Sequence, residues 1–420
     1  MPKSENHDFL PDGTVTSPVG FRAGGMHAGF RREPGRLDMA LVEGDELCTA
    51  AGVFTTNVFC AAPVIVCREH LNNQGFGTAR AIVVNSGIAN AATGQVGMDN
   101  ARESAEVLAQ ALGCAVQDVL VASTGIIGQQ LDISPFREHA AELHQACTSD
   151  VQGGHDAARA MMTTDTVPKE CAIEYTSTAP GLSGATLRIG GMVKGAGMIM
   201  PNMATMISIL TTDAPLEASA AHAALKTAVD SSFNKLTVDS DTSTNDSCFL
   251  LASGKAAPGA DLIKQGSEAY FEFVAALQRV CENLARQMAA DGEGATRLVT
   301  VNITGAADEH DADLAARAIA NSPLVKTAIA GHDANWGRIA AAAGRSGAKF
   351  KQEDVDIDIM GIPVLRSGLP VPFDEDEALR RFEQPEIVID VNLGAGEADT
   401  TMWTCDFTHD YISINGDYRS

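Results

Sequence analysis

Basic residues are scarce in this chain: its 420 residues hold 30 Lys and Arg against 54 Asp and Glu, a formal charge of −24. Nucleic-acid phosphates require a basic footprint, so that balance argues against a nucleic-acid partner. Long apolar runs are missing too. None reaches the length of a bilayer span, and the opening MPKSENHDFLPDGTVTSP lacks the apolar stretch of a secretion signal, so no membrane partner and a cytoplasmic location are expected. Nine cysteines, Cys48 through Cys405, form no C-x-x-C pair, which fits reduced thiols packed as small apolar side chains. HExxH and comparable metal spacings are absent, as are the glycine-rich loops of dinucleotide and ATP binding, so neither a metal nor an organic cofactor is expected.

What is present reads as a globular α/β or α+β chain, long enough for a large core or for two halves sharing one: 45% of its residues are hydrophobic and 20% charged. Residues 1–18 read as a polar, proline-bounded tail. The run Ala81–Val84 predicts a strand, followed by a helix near Asp99–Leu112 with Ala101, Ala105, Leu108 and Leu112 on one face and Gly113 as its stop. Val119–Ala122 predicts a strand that ends in a turn at Ser123, Thr124 and Gly125. Ser134 before Pro135 marks a helix N-cap. Thr205–Leu210 is apolar on both faces, as a strand covered on each side would be. Helices near 217–231 and 267–290 and strands at Val299–Ile303, Val355–Met360 and Glu386–Val391 follow, with several strands in direct succession, so the sheet is expected to be partly antiparallel.

The segment KGAGMIMPNMATMISILTTDA, Lys194–Ala214, sets Thr205 behind the small Ala204 at the entrance to that apolar run. A threonine exposed as a new N-terminus carries a hydroxyl nucleophile and a primary amine on one residue, and the amine can take the hydroxyl proton. An α-amino group titrates near about 7.7–8.0, which suits a general base. A buried strand with a tolerated threonine accounts for the same letters. The polar stretch Asp239–Ser247 lacks the glycine and terminal glutamate of a calcium loop, and is expected to be a loop beside an active site, shaped by side-chain-to-backbone hydrogen bonds.

KGAGMIMPNMATM does not stand alone. With ASTGIIG at 122–128, MTTDT at 162–166, SFNKLTVDSDTSTNDS at 232–247, DGEGAT at 291–296, NWGRI at 335–339 and the closing INGDYRS, the chain resembles the ornithine acetyltransferases, or glutamate N-acetyltransferases, self-cleaving N-terminal-threonine enzymes of arginine biosynthesis. The resemblance implies two β-sheet layers between helices, an N-terminal-nucleophile-hydrolase-like sandwich built from both halves of the chain. It implies scission between Ala204 and Thr205, giving an α chain of residues 19–204 behind the tail and a β chain of residues 205–420 that assemble as an oligomer of αβ pairs. It also implies site residues: Thr205 as nucleophile and base, Thr124 and Gly125 as oxyanion hole, and Thr166, Lys194, Thr205, Glu293, Asn415 and Ser420 as substrate contacts. The implied reaction moves acetyl from N2-acetylornithine to glutamate through an acetyl-threonine. Acetyl-CoA is a second donor in some members. An amidase or aminopeptidase, which sends the acyl group to water, and a non-catalytic binding protein on the same scaffold are the competing readings. One departure stands out: NSGIAN carries Ile88 where relatives usually have asparagine, and this bears on acceptor preference.

Overall fold

Two sheets organise the computed structural model, which describes residues 7–200 and 206–417. Among the described residues, the first sheet contains nine strands: β1 (His7–Phe9), β2 (Phe21–Met26), β3 (Met39–Phe54), β4 (Phe76–Ile88), β5 (Val119–Ile126), β6 (Lys169–Thr176), β7 (Thr186–Lys194), β8 (Ile207–Thr212) and β9 (Ser247–Ala252). They run in the order β1-β6-β7-β8-β9-β3-β4-β5, with β2 beside β3. The second sheet joins β10 (Leu298–Ala306), β11 (Asp356–Ile359), β12 (Ile362–Arg366), β13 (Leu369–Pro370), β14 (Glu386–Asn392) and β15 (Ala398–Cys405). The sheets are mixed. The pairs β4–β5, β8–β9 and β10–β14 are parallel and the other ladders antiparallel, matching the expected partly antiparallel α/β class.

Helices cover both faces of each sheet. On one side of the first sheet lie α1 (Ala62–His70), α2 (Gly94–Leu112), α3 (Ser134–Ala146) and α4 (Val151–Met161); on the other lie α5 (Ala218–Ser231) and α6 (Glu268–Ala290). The long α6 also touches β10 and β15, so the two sheets share it. The second sheet turns its opposite face to α7 (Glu309–Ala320), α8 (Pro323–Ala330) and α9 (Trp336–Gly344). Two short helices, α10 (Glu375–Arg381) and α11 (His409–Asp417), complete the chain. In β8 and β9 the neighbours Ile209 and Leu210, and Phe249 and Leu250, face opposite cores and are fully buried, which is why that apolar run does not alternate.

The first sheet draws strands from both sides of residue 205, whereas all six strands of the second come from the later side. Helix α2 ends where anticipated, with Gly113 in the left-handed conformation at φ 67°. Three local readings need correction. Residues 7–18 are no loose tail: β1 pairs with β6, and Thr14 and Val15 are buried because the Thr14 and Thr16 hydroxyls bond each other at 2.7 Å and Thr211 Oγ1 donates to the Val15 carbonyl at 2.7 Å. Thr124 and Gly125 continue strand β5, since β4 runs alongside them in parallel register as far as Ile126. Ser134 is the first residue of α3, with no side-chain cap, because Ile133 takes the cap position.

Candidate active site

The ends of β5 and β7, the start of β8, the loop before β9 and the turn after α6 meet around one cavity of about 220 Å³. Thr124, Gly125, Lys194, Glu293 and Asn415 line it, together with Thr163, Met206, Asn245 and Asp246. Gly125 is required by position. It sits at φ 127° opposite Gly87 in the β4–β5 ladder, and a side-chain carbon there would overlap the Gly87 backbone.

Lys194, 9% exposed, ends β7 and donates its ammonium to Thr163 Oγ1 at 2.7 Å and to Thr124 Oγ1 at 3.3 Å. With an acceptor lone pair engaged by the lysine, the Thr124 hydroxyl keeps its own hydrogen for the cavity. Burial lowers the Lys194 ammonium, and the Asp165 carboxylate, 4.0 Å away, opposes that effect. Asp165 is itself buried, which disfavours its charge, yet Lys194 and Lys169 hold its carboxyl below the usual range, helped by the Thr163 N–H. It accepts from Lys169 Nζ at 2.7 Å and Gly195 N at 2.6 Å. Lys169 in turn bonds Asp291 at 2.5 Å, linking the end of β7 to the turn after α6.

Glu293 stands on that turn, 9% exposed. Its backbone N–H donates to the Ala196 carbonyl at 2.8 Å, and Gly197 lets its carboxylate come close, because any side chain there would overlap it. Asn415 on α11 donates Nδ2 to Glu293 Oε2 at 2.8 Å. The cavity therefore carries a cation at Lys194 and an anion at Glu293, suited to a ligand with a carboxylate and an ammonium.

Five sequence-predicted residues thus share one cavity. Thr166 does not line it: the residue is exposed, its N–H reaches Asp291 Oδ2 at 3.1 Å, and its hydroxyl donates to the same carboxylate. Ala204, Thr205 and Ser420 lie outside the described residues, although Met206, covalently next to Thr205, is on the cavity wall. The polar stretch before β9 runs along the cavity as a loop whose Asp239 accepts from the Met198 and Ile199 N–H groups at 2.6 and 2.8 Å. Sequence reasoning missed Thr163, three residues before the predicted Thr166 in the same word, and gave no separate role to Asn245 and Asp246. Asn245 Nδ2 donates to the Ala89 carbonyl at 2.5 Å and the Ser123 carbonyl at 2.8 Å, fixing the strand ends beneath Thr124. Among the described residues, no group of three or more His, Cys, Asp or Glu side chains is placed to hold a metal ion, and no helix is long and apolar enough to cross a membrane.

The model of the ArgJ family matches residues 22–420. The arginine biosynthesis bifunctional protein ArgJ of Dehalococcoides mccartyi is 47% identical over 414 residues, 98% of this chain and 99% of the relative. The protein of the same name from Nitratidesulfovibrio vulgaris is 47% identical over 408 residues, 96% of this chain and 99% of the relative. Among solved structures, the bifunctional ArgJ of Bacillus halodurans is 44% identical and covers 51% of this chain and all (100%) of its own, with a TM-score of 0.49.

Proposed function

The chain belongs to the ArgJ family, and on that premise we propose that it is an acetyltransferase of arginine biosynthesis which cuts itself between Ala204 and Thr205 and then carries acetyl on Thr205. The observation that carries this reading is the cavity: Thr124, Gly125, Lys194, Glu293 and Asn415, far apart in sequence, line one space beside Met206, the residue joined to Thr205. In the first stage the Thr205 hydroxyl attacks the Ala204 carbonyl, the acyl group passes from nitrogen to oxygen, and water hydrolyses the ester. The products are residues 1–204 and residues 205–420.

In the second stage the freed amine takes the hydroxyl proton, and Thr205 Oγ1 attacks the acetyl carbon of N2-acetylornithine. The Thr124 hydroxyl and the Gly125 N–H stabilise the oxyanion, the Thr205 ammonium passes the proton it took to the Nα of ornithine as the acetyl C–N bond breaks, and ornithine departs. Glutamate then attacks the acetyl-threonine and leaves as N-acetylglutamate. Lys194 holds the donor's carboxylate, while Glu293, steadied by Asn415, faces its side-chain ammonium. Covalent transfer of this kind uses no metal or organic cofactor. Ser420 completes the substrate contacts, and αβ pairs form the oligomer.

A second donor is favoured by the word "bifunctional" in the relatives' names: acetyl-CoA would load the same threonine and supply glutamate directly. Denaturing mass spectrometry and a two-substrate assay test the whole reading. Two chains divided at Ala204–Thr205 are expected, with Thr205→Ala left as one inactive chain. A fully active single chain overturns it, and acetate release that ignores glutamate turns the assignment to an amidase.

A further inference from the structure

Self-cleavage leaves one proton without a carrier. In the uncut chain the nitrogen of residue 205 belongs to a peptide bond, and an amide nitrogen cannot accept the hydroxyl proton as the freed amine later does. Another group must serve the scission. Among the lining residues, Lys194, Glu293 and Asp246 are ionisable. The Lys194 ammonium offers donors and no acceptor, and it is committed to Thr163 and Thr124. Glu293 is engaged by Asn415 and anchored to Ala196.

Asp246 is placed differently. It is 2% exposed and lines the cavity, and its carboxyl accepts from the backbone N–H of Met206. That N–H belongs to Met206, the residue joined to Thr205. Its backbone is fixed as well: Thr55 N donates to the Asp246 carbonyl at 3.0 Å, and Ser247 N donates to the Met206 carbonyl at 2.9 Å as β9 pairs with β8. Its second oxygen, Oδ2, has no hydrogen-bond partner among the described residues. A buried polar atom left unused costs folding free energy, and its retention at a reactive site calls for a role.

Resting on the self-cleavage reading above, we infer that Asp246 is the proton carrier of the scission. As Thr205 Oγ1 bonds to the Ala204 carbonyl carbon, the Asp246 group in its carboxylate form takes the hydroxyl proton and delivers it to the nitrogen of residue 205 while the C–N bond breaks. The products are an ester and a free amine, and Asp246 ends in its starting state. Water then adds to the ester carbonyl and the C–Oγ1 bond breaks. One water hydrogen restores the Thr205 hydroxyl, and the remaining hydroxyl completes the Ala204 carboxyl group. Burial pushes the Asp246 carboxyl well above the ordinary carboxylate range, against the Met206 N–H, Ser243 and Lys194, and this brings its proton affinity closer to that of the groups it serves.

The test follows scission of freshly purified full-length chains by denaturing mass spectrometry. The parent is expected to be cut, whereas Asp246→Asn, with an unchanged circular dichroism spectrum, cuts at least about 100-fold more slowly, the usual scale of a lost acid–base group. Asp246→Ala removes the carboxyl and leaves room for formate, which is expected to restore scission in the folded chain. A folded Asp246→Asn that cuts at the parent's rate, or an Asp246→Ala that ignores formate, overturns the role of Asp246. A parent that never cuts overturns the proposed function itself, so the two failures are distinct.

Discussion

At the scale of single residues, the cavity depends on groups whose surroundings, more than their identity, decide their behaviour. Gly125 needs both a positive φ and the absence of a side chain to lie against Gly87. Gly125→Ala is expected to lower stability by about 1–3 kcal/mol and, by displacing the N–H proposed to bind the oxyanion, to lower kcat by roughly 10²–10³-fold. Melting temperature and single-turnover acylation measure the two effects; full activity in the alanine variant removes Gly125 from the oxyanion site. Asp165 makes a second case. Its folded carboxyl titrates below the usual range, so its stabilisation is present above the ordinary carboxylate value of about 3.9 and is lost as pH falls through the depressed folded value. Asp165→Asn is expected to cost about 3–5 kcal/mol at neutral pH, because Lys169 and Lys194 lose a buried partner, and the difference narrows in acid. The same change removes the attraction that opposes the burial effect on Lys194, so Lys194 loses its proton at lower pH. The rise in KM for acetylornithine on the alkaline side should accordingly begin at lower pH than in the parent.

Elements carry these residues to one place, and here the sequence was partly readable. Helix α2 could be placed because its apolar face repeats at helical spacing and a glycine ends it; β8 could be placed because a strand covered on both sides is apolar throughout. The words around Thr124, Lys194, Glu293 and Asn415 pointed to residues that do line one cavity. The roles of Asn245 and Asp246 were not legible, since a polar run shows which residues can bond but not which are desolvated or what they reach across the fold. Asn245 holds a carbonyl of β5 and the one just past the end of β4 from a loop more than a hundred residues away, a contact set by topology. Asn245→Ala is expected to leave the Ala89 and Ser123 carbonyls buried without that donor, costing about 1–3 kcal/mol. Because the displaced strand ends carry Thr124, kcat should fall more than KM rises. An equal change in stability with kcat untouched would reduce Asn245 to a structural tie. The N-terminal segment escaped reading for a related reason: threonines that satisfy one another can be buried, and composition alone makes them look solvated.

For the molecule as a whole, the proposed scission between residues 204 and 205 raises the question of why the pieces should stay together. The answer lies in the strand order. Strands β8 and β9, both from the later half, sit in the middle of the first sheet, with β7 on one side and β3 on the other, both from the earlier half. One seam pairs Ile189–Lys194 with Ile207–Thr212, and the other pairs Thr49–Phe54 with Ser247–Ala252. Separation would expose Ile209, Leu210, Phe249 and Leu250, all fully buried between helices of both halves, and each buried side chain of this kind is worth roughly 1.5–3 kcal/mol. Helix α6 adds contacts to β6 and β7, and Asp291 bonds Lys169 across the divide. The cut protein is therefore expected to elute as one species on size exclusion, to keep both chains together on dilution, and to melt in a single transition. Two resolved transitions, or α and β chains that part on dilution without denaturant, would mean that the central strands do not bind the halves and that the peptide at 204–205 carried the stability instead.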